Sequence, residues 1–372
     1  MKKLIIIFFS VICQTVYAND GAYYASGNHL IPISENDISI TKEILTIKRI
    51  IIDYVEYAYV TVNYTFYNPN SEKKILVGFE APSPSGDVNG FPENGGHPYM
   101  SNFKAIINGE ELKFKTSIVN TENYYIDDQI DAKTEKEVID DDFNPSAPEF
   151  YYVYHFNATF RPGINKVIHT YRFNMSSSVE ENYSFDYILT AANRWANNQI
   201  DDFTLIIDLG AYCDFNIDRN FFSGFDGWSQ ANKLADGTGF SYEEIETNPM
   251  RVFTNDKPII FKKSNFKPKG ELNIYSKRNY STYDINVFNY KSQSLNYDLN
   301  DFGFITSTSD EESFKILRNY PYAKRGYIFK NEMIQNYYET LEWYVPNINY
   351  TANFDELTEK EKVWLKELKS KN

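Results

Sequence analysis

Apolar and polar residues alternate with a period of two over several stretches of this chain. Val60, Val62, Tyr64 and Phe66 alternate with Thr61, Asn63, Thr65 and Tyr67, the pattern of a half-buried strand. Asn68-Pro69-Asn70 ends it with turn chemistry, and Ile75 to Phe79 reads as the return strand. Phe103 to Ile107 and Glu111 to Lys115 flank Asn108-Gly109, whose residues accept the positive φ angles of a two-residue hairpin. Tyr152, Tyr154, Phe156, Ala158 and Phe160 alternate again. Arg161-Pro162-Gly163 then turns the chain, and Val167, His169, Tyr171 and Phe173 line the returning strand. Beyond a polar stretch at 176–182, Phe203, Leu205, Ile207 and Leu209 resume the alternation. Val252-Phe253, Ile259 to Phe261 and Leu272 to Tyr275 follow as short strands. This spacing predicts a mainly β protein with two antiparallel β-sandwich-like domains, at 19–175 and 176–304. The boundary near Ser176 is soft, and a single large sandwich stays open. Asp127 to Asn144 is polar, acidic and aperiodic, and reads as a solvated loop.

After Thr306 the period changes from two to that of a helix, predicting a small α-helical module at 305–372. Ser309 with Glu312 forms a capping box, followed by Phe314 and Leu317. Gly326 stands where a helix ends. Asn331 can cap a second helix carrying Met333, Ile334, Tyr337, Tyr338 and Leu341. Thr358 with Glu361 is another capping box, before Val363, Trp364 and Leu368.

The first 18 residues read as a secretory signal peptide. Lys2 and Lys3 form a basic start, Leu4 to Cys13 is apolar apart from Ser10, and Val16-Tyr17-Ala18 offers a cleavage site after Ala18. The apolar run falls short of the roughly 20 residues that span a membrane. The mature chain is then expected to be periplasmic or extracellular, with no transmembrane segment. It would keep one cysteine, Cys213, beside Tyr212 and Phe215, read as a buried filler.

Within the helical module, Leu317-Arg318-Asn319 and Tyr322-Ala323-Lys324-Arg325-Gly326-Tyr327-Ile328-Phe329 resemble the YARHG domain of bacterial exported proteins. Trp343-Tyr344-Val345-Pro346-Asn347 and the helix from Leu357 to Lys369 fall where that family has its W-Y-x-P and closing helix. The sequence departs from the family at Lys324 and Arg325, which replace Arg and His. Pro321 is a second departure, and is expected to kink or shorten the first helix. The resemblance implies an extracellular protein, associated with the envelope or cell wall. The region from Asn19 to about Lys277 resembles an uncharacterised bacterial domain. It does so through the run from Asp20 to Asn28, Gly78-Phe79-Glu80-Ala81-Pro82, and Trp195 to Phe203. That likeness implies no activity.

The chain carries a net charge of −14, yet residues 307–372 hold ten basic and eleven acidic residues, so the acidity lies upstream. Such a body is unsuited to the phosphates of nucleic acid. No G-x-S-x-G or H-E-x-x-H occurs, and His29, His97, His155 and His169 are not at metal-ligand spacing. No catalytic residue, metal or cofactor is expected. His169 reads as a core histidine and His155 as exposed. Asp127, Asp128, Asp131, Asp140, Asp141 and Asp142 could hold calcium but read as a solvated run. Asp214, Asn216 and Asp218 imitate the start of a calcium loop, with Arg219 where glycine is needed.

The candidate binding residues are aromatic and basic. Trp195, in Asn193-Arg194-Trp195-Ala196-Asn197-Asn198, is either a stacking platform or a plug at the end of a sandwich. Tyr322, Lys324, Arg325 and Tyr327, with Trp343 nearby, could meet an anionic envelope polymer. Alternatively, the cations favour a helix C-terminus. The reading is an exported, non-enzymatic envelope protein that binds or scaffolds, with an envelope polymer or protein as partner. A carbohydrate-active enzyme using paired carboxylates and a carbohydrate-binding adhesin are the alternatives.

Overall fold

The computed structural model of the protein describes residues 21–23, 30–32, 37–120, 124–126, 129–140, 142–237, 248–278, 287–298 and 305–371. The signal segment, Cys13, His29, Asp127, Asp128 and Asp141 lie outside the described residues, as does most of the run from Asp20 to Asn28.

Two 14-residue strands, Ser39–Ile52 and Val55–Asn68, form the spine. Asp53 and Tyr54 join them at φ 50° and 67°, the left-handed turn that matches strand twist. They pair from Ser39 opposite Tyr67 to Ile52 opposite Val55. Among the described residues they lie at the centre of an eight-stranded sheet. Its order is Trp228–Ser229, Ile259–Phe266, Ile200–Asp208, the two spine strands, Gly163–Asn174, Met100–Ile107 and Glu110–Glu111. Asn108 and Gly109 take φ 51° and 89°, forming the expected hairpin.

One face of this sheet is covered by two others. Lys73–Pro82 and Tyr151–Phe160 form the middle of a four-stranded sheet, with Leu30–Pro32 and Lys115–Val119 at its edges. Glu181–Tyr187, Leu272–Lys277, Asp214–Ile217, Met250–Thr254 and Ala231–Asp236 form a five-stranded sheet, in that order. One continuous core fills the space between, from Ile38 and Val60 to Phe215 and Ile274. Full burial of each such Val, Ile or Phe contributes about 1.5–3 kcal/mol.

Two expectations change. Ile75 to Phe79 does not return beside Val60 to Phe66. Its strand joins Tyr151–Phe160 in the opposite sheet. Likewise Arg161-Pro162-Gly163 carries the chain from one layer to the other, since Gly163–Asn174 pairs with Val55–Asn68. Alternation reports which side of a strand is buried, and both layers bury one side. The boundary near Ser176 does not divide the core either. Ile200–Asp208 pairs in parallel with Ser39–Ile52, from Ile40 opposite Ile200 to Lys48 opposite Asp208. Sequence from both sides of Ser176 therefore builds one sheet.

The five-stranded sheet is covered on its second face by the helical module. Val252 faces the sandwich core, while its neighbour Phe253 packs on Tyr297 and joins the cluster that holds Tyr320, Trp343 and Trp364. The module's helices span Glu311–Lys324, Glu332–Glu339 and Glu359–Lys371. Asp310, not Ser309, caps the first, its carboxylate accepting from Ser313 N at 2.7 Å. Asn331 caps the second, accepting from Ile334 N at 3.2 Å. Thr358 and Glu361 form the third's capping box as expected. Pro321 does not end the first helix, which runs on to Lys324. It removes one backbone bond near the C-terminus, where its own carbonyl is taken up by Arg325 Nη1 at 2.7 Å. The stretch after Asp127 is more ordered than a loop. Tyr125–Ile126 pairs with Gln129–Ile130, and Thr134 caps a single turn at Glu135–Val138.

Candidate functional site

The signature of the helical module closes a buried charge network. Lys324 is 3 % exposed and Glu361 1 %. Arg325 presents a fork to Glu361, Nη1 to Oε1 at 3.0 Å and Nη2 to Oε2 at 2.8 Å. Lys324 Nζ lies 3.4 Å from Oε1. Three tyrosines surround Lys324: its ammonium stands 5.0 Å from the Tyr320 ring, 5.2 Å from Tyr212 and 5.6 Å from Tyr297. The Arg325 guanidinium lies 4.1 Å above Tyr212. Tyr212 belongs to the β body, so the signature joins module to body.

Each member's charge is favoured by its opposite partner. Burial works against charge on Glu361, but Lys324, then Arg325, hold its carboxyl below the usual range. Burial lowers the Lys324 ammonium, and Glu361 opposes that fall. Around this centre Tyr297 OH donates to Thr254 O at 2.6 Å. Arg251 bridges Asp214 and Glu342, reaching the latter at 2.8 Å. Lys233 Nζ donates to the Glu342 carbonyl.

Burial corrects the expectation that Lys324 and Arg325 present a surface cluster to a polymer. Their charge is spent inside the protein. Tyr322 and Tyr327 are half-buried at its margin. Trp343 is buried and donates from Nε1 to Leu295 O at 2.7 Å, so it belongs to the same core. Trp195 is not part of this group. It is 1 % exposed and packs tilted against Phe66, ring centres 4.4 Å apart, plugging the end of the sandwich. Gly326 ends the first helix at φ 81°, and a Cβ there would stand 2.4 Å from the Val345 carbonyl. Gly326→Ala is therefore expected to cost more than about 1 kcal/mol. Chemical denaturation should show a lower midpoint, and an unchanged midpoint would contradict this geometry.

Sequence reasoning missed two groups of carboxyls. Glu43 is fully buried in the sandwich, and among the described residues neither of its oxygens has a hydrogen-bond partner. It stands opposite Tyr64, and its charge would act on Tyr64 and Tyr187. Burial pushes its carboxyl up to about 8. Glu181, Asp186 and Asp218 gather on the five-stranded sheet. Burial, then the neighbouring acids, raises Glu181 to about 7. Asn273 Nδ2 donates to Asp186 at 2.6 Å, and Tyr275 OH donates to Asp218 at 3.2 Å. Asp186 itself is exposed, between the buried Phe185 and Tyr187, as its place in the alternation implies.

The remaining candidates occupy structural positions. His169 is fully buried, in stacked contact with Tyr64 and Tyr171. His155 is half-buried rather than exposed, with Nε2 3.0 Å from Ser117 Oγ. Cys213 is buried, its thiol pushed up to about 12 by burial. Asp214 is held by Arg251 and Asp218 by Tyr275, in place of a calcium loop. Among the described residues no three His, Cys, Asp or Glu side chains gather to hold a metal ion.

Residues 289–372 match the YARHG domain family. The match begins upstream of 305, in accord with Leu295 and Tyr297, which lie in the module's core. Among solved structures, a candidate nutrient binding protein from Legionella pneumophila is 18 % identical. The likeness covers 95 % of this chain and 99 % of that one, at a TM-score of 0.49. Native leukotriene A4 hydrolase from Saccharomyces cerevisiae is 9 % identical, over 61 % of this chain and 29 % of that one, at a TM-score of 0.24. Neither likeness is close enough to carry an argument. A comparison with curated proteins finds no match. No helix among the described residues is long and apolar enough to cross a membrane.

Proposed function

We propose that this chain is an exported, non-enzymatic protein of the bacterial envelope. It binds or scaffolds, and its helical module meets an envelope polymer or envelope protein. The YARHG match supports export and a bacterial setting. One observation carries the rest. The module turns its signature cations inward and presents apolar residues outward. Ile348 is 87 % exposed, and Ile328 and Val345 are also exposed. All three lie within two residues of the bond from Asn347 N to Gly326 O, 2.8 Å long. Exposed apolar side chains brought together in this way mark interaction surfaces.

Co-sedimentation with purified sacculi and, separately, with envelope membranes tests the reading. The protein should be retained on one of them. Ile348→Ser combined with Val345→Ser should lower retention about fivefold, a loss on the order of 1 kcal/mol of apolar contact, with thermal stability kept. Wild-type protein that stays in the supernatant with both fractions would refute envelope binding. Equal retention of the variant would move the contact away from the module.

A further inference from the structure

The eight-stranded sheet has a second face, pointing away from the two sheets that cover the first. At one edge of it lies a groove of about 500 Å³, lined by Ile106, Arg161, Pro162, Ile164, Lys166 and Ile168 and closed by the Asn108-Gly109 turn. Small-molecule sites typically measure about 300–1,000 Å³. Ile168 and Ile106 face each other across neighbouring strands. Ile164, Lys166 and Ile168 follow at every second residue of one strand, so they share a face. Ile164 is 69 % exposed.

The walls are rigid. Asn165 is buried beneath the groove and ties its two turns together. Its Oδ1 accepts from Asn108 Nδ2 at 2.8 Å and from Arg161 N at 2.9 Å, and its Nδ2 donates to Arg161 O at 2.8 Å. Lys166 N donates to Asn108 Oδ1 at 3.0 Å. A groove already held in shape binds without an ordering cost.

Its charges are placed unevenly. Arg161 and Lys166 lie toward the turn, and no ion-pair partner of Lys166 is found among the described residues. Among the described residues Arg161 pairs only with Glu110, at 4.0 Å and exposed, a pairing of little strength. At the other end Glu111 stands opposite Ile106. An anion is therefore favoured beside Lys166 and disfavoured beside Ile106, while Ile168 between them offers an apolar floor.

We infer that this groove binds a small single-chain amphiphile with an anionic head. The head lies against Lys166 and Arg161, which flank Ile164, and the chain runs over Ile168 toward Ile106. The site is separate from the helical module and does not depend on its role.

Isoleucine-methyl NMR of the full chain, titrated with decanoate, tests this. Decanol and decyltrimethylammonium serve as the neutral and cationic counterparts. Decanoate should shift the methyls of Ile106, Ile164 and Ile168 at lower concentration than either counterpart. Lys166→Glu should weaken it about fivefold, the upper range for an exposed charge contact. Added salt should weaken it as well. Lys166 is exposed, so the variant should fold, and unchanged shifts elsewhere would confirm that. Equal affinity for all three compounds, no response of these methyls, or decanoate binding untouched by Lys166→Glu would each overturn the inference.

Discussion

Replacing Glu43 with glutamine is expected to stabilise the protein by roughly 4 kcal/mol near pH 8, and to change it little near pH 5. The cause is a carboxyl whose folded value, about 8, lies far above its ordinary value of 4.5. In the folded chain it holds its proton, and in the unfolded chain it has released it. Between those two values the folded state binds more protons, so stability falls as pH rises through the interval. Below the ordinary value both states are protonated and the penalty disappears. Glu181 contributes in the same direction over a narrower range. His97, lowered to about 3 by burial, contributes in the opposite one, favouring the folded state as pH rises from about 3 to 6.5. Comparing Glu43→Gln with the parent protein by denaturation across pH removes both backgrounds. Parallel stability curves would show that Glu43 is not buried as described. Glu43→Gln keeps the shape and removes only the ability to ionise.

Glu361→Ala is expected to destabilise the protein by about 3–5 kcal/mol, the usual cost of leaving a buried ion without its partner. Here two cations lose one anion. Arg325 loses both of its contacts to a carboxylate but keeps the Pro321 carbonyl, and Lys324 keeps the tyrosine faces and the charge of Asp298. The capping box with Thr358 goes at the same time. The module should loosen from the five-stranded sheet before the sandwich unfolds, read as early protease cleavage within residues 305–371. A companion variant separates charge from shape. Glu361→Leu with Lys324→Met and Arg325→Met removes all three ions and should recover most of the loss. If Glu361→Ala unfolds at the parent's denaturant midpoint, the network is not holding the module.

Much of the architecture could be read from alternation. Val60 to Phe66, Tyr152 to Phe160 and Phe203 to Leu209 are strands with the expected buried side. Asn331, Thr358 and Gly326 mark helix ends because caps satisfy their own backbone locally. Pairing was not legible, since a strand's period says nothing about its neighbour. Glu43 shows the same limit at one residue. Ile40, Lys42 and Ile44 share a parity, which would turn Glu43 outward. The ladder slips between Ile40 and Lys42, so Glu43, Leu45 and Ile47 point into the core. Lys324 and Arg325 look like surface residues for a related reason. The groups that bury and neutralise them, Tyr212 and Glu361, are distant in sequence.

The parallel pairing of Ser39–Ile52 with Ile200–Asp208 has a consequence for how the chain acquires its shape. Lys42 and Asp202 bond across 160 residues. Loops of that length close slowly, because chain entropy is lost before any contact rewards it. Until Ile200–Asp208 arrives, the first hairpin has a bare edge of unmatched backbone, with Ile40, Leu45 and Ile47 open to any other strand. A nascent chain emerging from its N-terminus exposes that edge until Ile200–Asp208 has been made. Passage in an unfolded state, completed before folding begins, suits such a topology better than stepwise folding on the ribosome.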